Sequence, residues 1–172
     1  MKEMKELFKI ILKNNYRTAA LDTQFKIENR VLIFQDSKSS IDWFLNFLFI
    51  PLHGRPAGFE LAWLAALPEI KRAVEEAGGI DSTGGYSRGG PFAVYAAEYF
   101  GVPFTTFASP CVGRTTAKGV RYAGWRDIVT LGPPGYKHAG RLIKVKEPKN
   151  SKEKFGVWLS GHGPEVYLQG VE

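Results

Sequence analysis

A serine between two closely spaced glycines is the clearest chemical signal in the sequence. Residues 85–89 form a G-x-S-x-G pattern around Ser87. The glycines permit a tight strand-to-helix turn that exposes the hydroxyl, and the first amides of the helix face the developing oxyanion. A glycine-rich turn in which Ser87 only caps a helix is the alternative. We interpret Ser87 as a nucleophile, because a strand is predicted before it and a helix after it.

A serine nucleophile needs a general base, and the base needs a carboxylate that orients it. Where the G-x-S-x-G turn leads from a strand of a parallel sheet directly into a helix, the chain order is serine, acid, histidine. Asp127 follows Ser87 in a loop after a predicted strand, although an aspartate there could also only shape a turn. This order excludes His53 as the base and leaves His138 and His162.

The elements that must position these residues alternate between strands and helices in the middle of the chain. Hydrophobic periodicity predicts an amphipathic helix over 2–14, a β-hairpin over 23–34 and helical structure over 59–77, with Pro68 starting a second helix. A helix should also follow Ser87 as far as about residue 100. Further strands are predicted at 80–84, 102–107, 120–123, 142–145 and 157–159. This alternation indicates a mostly parallel sheet covered by helices, in one domain spanning residues 1–172.

Composition is that of a globular protein and excludes several function classes. The 172 residues are 44% hydrophobic and 23% charged, with a net charge of +6. The basic stretch 141–154 indicates a solvated edge strand and loop, and no nucleic-acid-binding motif accompanies it. One cysteine and three scattered histidines give no disulfide and no metal-ligand spacing. We therefore expect no metal, no cofactor and no nucleic-acid partner, whereas the oligomeric state stays open.

The first residues give no signal-peptide pattern, and no segment has the ~20 apolar residues of a membrane span. The sequence therefore predicts a cytoplasmic protein.

Five stretches resemble, in the same order, those of the class 3, fungal-type lipases. They are FQDSKSSIDW (34–43), HGRPAGFELAW (53–63), GYSRGG (85–90), FASPCVG (107–113) and RDIVTLGPPGYKHAG (126–140). The resemblance covers about residues 31–167 and implies a compact α/β-hydrolase fold. Because the chain is shorter than most members of that family, peripheral elements should be missing.

The chain departs from the family pattern at several positions. Tyr86 and Arg88 stand where the family has His and Leu, and Thr130 replaces a proline. Gln35 and Asp36 also replace an Arg-Gly pair. These differences bear on the substrate class more than on the fold.

The resemblance assigns roles to individual residues. It implies Asp127 as the acid and favours His162 over His138 as the base. It also implies an oxyanion hole formed by the amide of Arg88 and by Ser37, which could instead be a loop serine that caps a helix.

The apolar segment 41–50 follows Ser37, where the resembling lipases carry a lid helix. We expect it either to be buried core or to border the substrate. The predicted substrate-binding residues are Tyr86, Trp43, Phe44, Phe47 and Leu48.

The predicted function is hydrolysis of carboxylic esters with lipid or lipid-like acyl chains, with transient contact to a lipid surface. One alternative is an esterase or thioesterase for small soluble acyl compounds, whose activity would not require substrate above its solubility limit. Another is a catalytically silent hydrolase-like binding module, which a fluorophosphonate probe would leave unlabelled.

Overall fold

The computed structural model of the protein describes residues 2–35, 50–146 and 162–169. Its helices are α1 (Lys2–Ile11), α2 (Ala57–Glu76), α3 (Gly89–Phe100) and α4 (Pro164–Gln169). Its strands are β1 (Arg17–Ala19), β2 (Thr23–Glu28), β3 (Val31–Gln35), β4 (Pro51–Leu52), β5 (Arg55–Pro56), β6 (Ser82–Tyr86), β7 (Phe104–Phe107), β8 (Gly119–Gly124) and β9 (Arg141–Val145). Short 3₁₀ turns lie at Ala20–Asp22 and Ile128–Leu131.

The main sheet has seven strands in the order β1-β2-β3-β6-β7-β8-β9. Strands β1, β2 and β3 pair antiparallel, whereas β3, β6, β7, β8 and β9 are parallel to one another. Strands β4 and β5 form a separate small hairpin. The prediction of a mostly parallel sheet covered by helices is therefore confirmed.

Alternating side chains of the central strands enter two different hydrophobic clusters. In β3, Leu32 and Phe34 pack with residues of α2 and α3. Ile33, between them, packs on the opposite face with Phe8 of α1 and Tyr167 of α4. Because a strand directs successive side chains to opposite faces, the continuous apolar run of β3 fits a strand that is covered on both sides.

The structure corrects the sequence prediction at Pro68 and extends it elsewhere. Helix α2 is continuous through Pro68, so no second helix starts there. Pro68 removes the helical donor for the carbonyl of Leu64, and Leu64 is 44% exposed, so the helix lacks this hydrogen bond on a solvent-facing turn. Strand β1 and helix α4 were not predicted. The predicted strand 157–159 lies outside the described residues.

The elements bring the ends of two strands to one edge of the sheet. Ser87 directly follows β6, and Asp127 follows β8 after a short loop. Because β6 and β8 run parallel within one sheet, their carboxyl ends lie at the same edge, where ligands bind in open α/β sheets. In the described part of the chain, no helix is long and apolar enough to cross a membrane.

Candidate active site

Ser87 occupies a left-handed backbone conformation at the turn between β6 and α3. Its φ is +52°, a value that few non-glycine residues adopt. The Ser87 amide donates to the Phe107 carbonyl at 2.9 Å, and the Gly90 amide donates to the Ser87 carbonyl at 2.9 Å. These two bonds hold the strained residue on the neighbouring strand and on the first turn of the helix.

Close backbone contacts explain which glycines this turn requires. A Cβ on Gly85 would lie 2.3 Å from the Gly89 carbonyl oxygen, and one on Gly89 would lie 2.4 Å from the Phe34 carbonyl oxygen. A Cβ on Gly84 would instead make an ordinary 3.5 Å contact with the Leu7 side chain. The two glycines of the G-x-S-x-G pattern are therefore sterically required, whereas Gly84 is not.

Three side chains predicted from the sequence lie in one hydrogen-bonded chain. His162 Nε2 is 2.8 Å from Ser87 Oγ, and His162 Nδ1 is 2.9 Å from Asp127 Oδ1. Because the carboxylate can only accept, Nδ1 carries the proton and Nε2 accepts from the Ser87 hydroxyl. The imidazole side chain is 19% exposed, whereas the carboxylate is fully enclosed and Ser87 is buried, so the chain runs from the protein interior toward a partly exposed imidazole.

Tyr167, a residue that the sequence analysis did not select, binds the carboxylate oxygen of Asp127 that does not face His162. Its hydroxyl donates to Asp127 Oδ2 at 2.6 Å and accepts from the Gly124 amide at 3.0 Å. Asp127 Oδ1 also accepts from the Val129 amide at 3.1 Å. Burial and the charge of Asp127 raise the pKa of Tyr167, so the phenol stays protonated and remains a donor. The tyrosine five residues after His162 was the available signal in the sequence.

Tyr86, predicted to bind substrate, contacts His162 in this structure. Its hydroxyl donates to the backbone carbonyl of His162, and its ring stacks beside the imidazole with centroids 5.6 Å apart. Its role toward a substrate stays a prediction.

The predicted oxyanion donors fall partly outside the described residues. Arg88 follows Ser87 directly, and its buried guanidinium lies 5.6 Å from the centre of the Phe92 ring. Ser37 lies outside the described residues, as do the predicted substrate-binding residues Trp43, Phe44, Phe47 and Leu48. The roles of the Arg88 amide and of Ser37 therefore stay predictions.

His138, the other histidine that the chain order allowed, makes different contacts. Its Nε2 donates to the Thr130 carbonyl at 2.6 Å and lies 3.4 Å from Cys111 Sγ. Burial, followed by the positive charge of Arg121, lowers the pKa of His138. Among the described residues, no three His, Cys, Asp or Glu side chains are grouped as metal ligands.

Solved structures of fungal lipases resemble this chain, although no family model and no curated protein matches its sequence. The lipase from Rhizopus microsporus var. chinensis superposes with a TM-score of 0.55 at 21% identity, over 76% of this chain and 59% of the lipase. Lipase II from Rhizopus niveus gives 0.56 at 19% identity, over 77% and 64%. The native Rhizomucor miehei lipase in complex with its propeptide gives 0.54 at 18% identity, over 91% and 66%.

The first two of these matches span 59% and 64% of the length of the lipases. The resemblance to fungal lipases is thus confirmed at the level of the fold, and the chain has the α/β-hydrolase fold of these lipases.

Proposed function

We propose that this protein is a serine hydrolase that cleaves carboxylic esters of lipid or lipid-like acyl chains. The observation that carries the proposal is the hydrogen-bonded chain from Ser87 through His162 to Asp127, with distances of 2.8 and 2.9 Å. A structural serine in a turn does not require an imidazole on its hydroxyl or a buried carboxylate behind that imidazole. Both are needed to activate a serine.

The proposal gives each residue a role in acyl transfer. Ser87 Oγ attacks the ester carbonyl while His162 Nε2 takes its proton, and the buried Asp127 carboxylate stabilises the imidazolium that forms. The imidazolium then protonates the departing alcohol, which leaves an acyl group on Ser87. Water attacks this acyl-enzyme with His162 again as the base, and release of the acid restores the serine hydroxyl.

The oxyanion of both tetrahedral intermediates requires donors that are already in place. We assign this role to the amide of Arg88, the first residue after the nucleophile, and to Ser37. The left-handed conformation of Ser87 supports the assignment, because it places the start of α3 directly behind the nucleophile.

Exposed apolar side chains near Asp127 support a lipid-like substrate. Trp125 and Leu131 flank the aspartate in sequence and are 70% and 72% exposed, and Ile128 is exposed between them. Large apolar groups on a surface loop beside a candidate site favour contact with an apolar substrate or surface. The solved structures with the same fold are themselves lipases.

Labelling with a fluorophosphonate probe tests the nucleophile directly. The wild type should label with one equivalent and hydrolyse p-nitrophenyl esters. Ser87→Ala should lose labelling and lower turnover by roughly 10⁶, by analogy with other triads. Ser82→Ala, at the start of the same strand, is the matched control and should label normally. An unlabelled but folded wild type, or near-normal turnover in Ser87→Ala, would contradict the proposal.

A chain-length series of esters tests the substrate class. Each methylene buried by the enzyme contributes about 0.8 kcal/mol, or roughly fourfold in kcat/KM. The rate should therefore climb with acyl length and rise further above the solubility limit. A rate that is highest for acetate esters and does not increase above the solubility limit of the substrate would favour a small-ester hydrolase. On sequence grounds, truncation of Phe44, Phe47 and Leu48 to alanine should flatten the climb.

A further inference from the structure

The acid loop, defined here as residues 127–132, is closed by a threonine that the catalytic steps do not use. Thr130 is buried, and its hydroxyl donates to the backbone carbonyl of Asp127 at 2.7 Å. Its amide donates to the same carbonyl at 3.2 Å. A proline at this position could make neither bond, because it lacks both the amide proton and the hydroxyl. Thr130 therefore fixes the backbone of the acid itself.

His138 holds the acid loop through a second hydrogen bond. Its Nε2 donates to the Thr130 carbonyl at 2.6 Å, so Thr130 is bonded both to Asp127 and to His138. The end of the loop is held as well, since the Cys111 amide donates to the Gly132 carbonyl at 2.5 Å. Two neighbouring segments of the chain thus clamp the loop at two of its carbonyls.

The surroundings of His138 favour a neutral imidazole with its proton on Nε2. Its Nδ1 is buried and has no hydrogen-bond partner among the described residues. A protonated Nδ1 would bury an unsatisfied N–H, whereas a lone pair there is less costly. The positive charges of Arg121 and Lys144 also disfavour the imidazolium. His138 is therefore a fixed hydrogen-bond donor rather than a proton carrier.

We propose that Thr130 and His138 are positioning residues, which set the orientation of the Asp127 carboxylate toward His162 through the backbone of the acid loop. The inference rests on the proposed function for its catalytic consequence. Its structural part, the restraint of the loop by His138, stands independently of any activity.

The test compares variants that keep or remove the Nε2 donor. His138→Gln can place an amide N–H near the position of Nε2, whereas His138→Leu cannot donate. We expect His138→Leu to lose roughly tenfold in kcat, the rate equivalent of one hydrogen bond, with KM changed less than about twofold. His138→Gln should recover most of this loss. Thr130→Val, which removes only the hydroxyl, should lose about three- to tenfold in kcat by the same reasoning.

Two further measurements separate positioning from general instability and from the proposed function. His53→Gln changes an exposed histidine bound to Glu60 and should leave kcat unchanged. Hydrogen exchange of a peptide covering residues 126–132 should accelerate in His138→Leu but not in His138→Gln, at a temperature where both are folded. This exchange needs no substrate.

The possible outcomes are distinguishable. If the wild type proves inactive but the exchange pattern is found, the proposed function fails and the clamp stands. If the wild type is active while folded His138→Leu keeps wild-type kcat, the positioning role is refuted. Equal losses in the Gln and Leu variants, or a loss only in KM, would also refute it.

Discussion

Replacement of Tyr167 by phenylalanine removes a single oxygen from the candidate site. That oxygen donates to Asp127 Oδ2 at 2.6 Å and accepts from the Gly124 amide at 3.0 Å. The ring itself is fully buried among Phe8, Phe107 and Tyr86, and phenylalanine keeps these contacts. The substitution therefore isolates the hydrogen bonds from the packing.

The expected magnitude follows from the charge of the acceptor. A hydrogen bond to a charged group contributes about 1.5–3 kcal/mol, and the unpaired Gly124 amide adds a desolvation cost. We expect the free energy of unfolding to fall by about 2–3 kcal/mol, which lowers Tm by roughly 4–12 °C. If the Tyr167 hydrogen bond stabilises the transition state by about 1–2 kcal/mol more than the ground state, its loss lowers kcat roughly five- to thirtyfold.

Thermal melts followed by circular dichroism give the stability change, and ester hydrolysis at 25 °C or below gives kcat and KM. Tyr95→Phe is the matched control, because Tyr95 is equally buried and its hydroxyl donates to the Val112 carbonyl at 2.9 Å. The control should also lose stability, but its kcat should stay within about twofold, since that bond does not touch the acid.

The kcat values of Tyr167→Phe and Tyr95→Phe together test whether the Tyr167 hydroxyl orients the carboxylate. A folded Tyr167→Phe protein with wild-type kcat would refute the idea that this hydroxyl orients the carboxylate. Equal losses of kcat in both variants would assign the effect to stability alone.

Two other predictions test the turn and the second histidine. In thermal melts, Gly89→Ala should destabilise the fold by more than about 2 kcal/mol, because its Cβ would lie 2.4 Å from the Phe34 carbonyl oxygen. Gly84→Ala should destabilise it by less than about 1 kcal/mol. Similar values for the two variants would contradict the steric argument. Burial and then Arg121 lower the folded-state pKa of His138, so the unfolded chain binds more protons and stability falls as pH drops below about 6.5. In His138→Gln, Tm should therefore decline less steeply from pH 7 to 5 than in wild type; parallel curves would show that His138 contributes nothing to the pH dependence.

Local patterns predicted most of the fold. The apolar run that became β3 and the glycines around Ser87 carry signals within a few residues, so strand, turn and helix followed directly. Strand β1 has only three residues, too few for a recognisable alternation, and helix α4 has only six. Pro68 misled the prediction because tolerance of a proline within a helix depends on solvent access to the preceding turn, which the sequence does not show.

The candidate site was predictable where chain order limits the choices. Order left two histidines after Asp127, and the resemblance to lipases favoured His162, which lies at the Ser87 hydroxyl. Tyr167 was missed although it follows His162 by five residues, because its bond to Asp127 joins residues 40 positions apart and the spacing alone does not show that they meet. The contacts of His138 were equally hidden, since they depend on how two loops pack.

The way Asp127 is held explains how the arrangement could survive a catalytic cycle. A fully buried carboxylate would be costly without donors, and Asp127 has three, from His162, Val129 and Tyr167. In the proposed reaction, His162 is the donor to Asp127 that gains and loses a proton, at Nε2. The Val129 amide and the Tyr167 hydroxyl each bind one carboxylate oxygen throughout, so the acid keeps its orientation whatever the state of the imidazole. Such fixed donors reduce the reorganisation that the transition state would otherwise require.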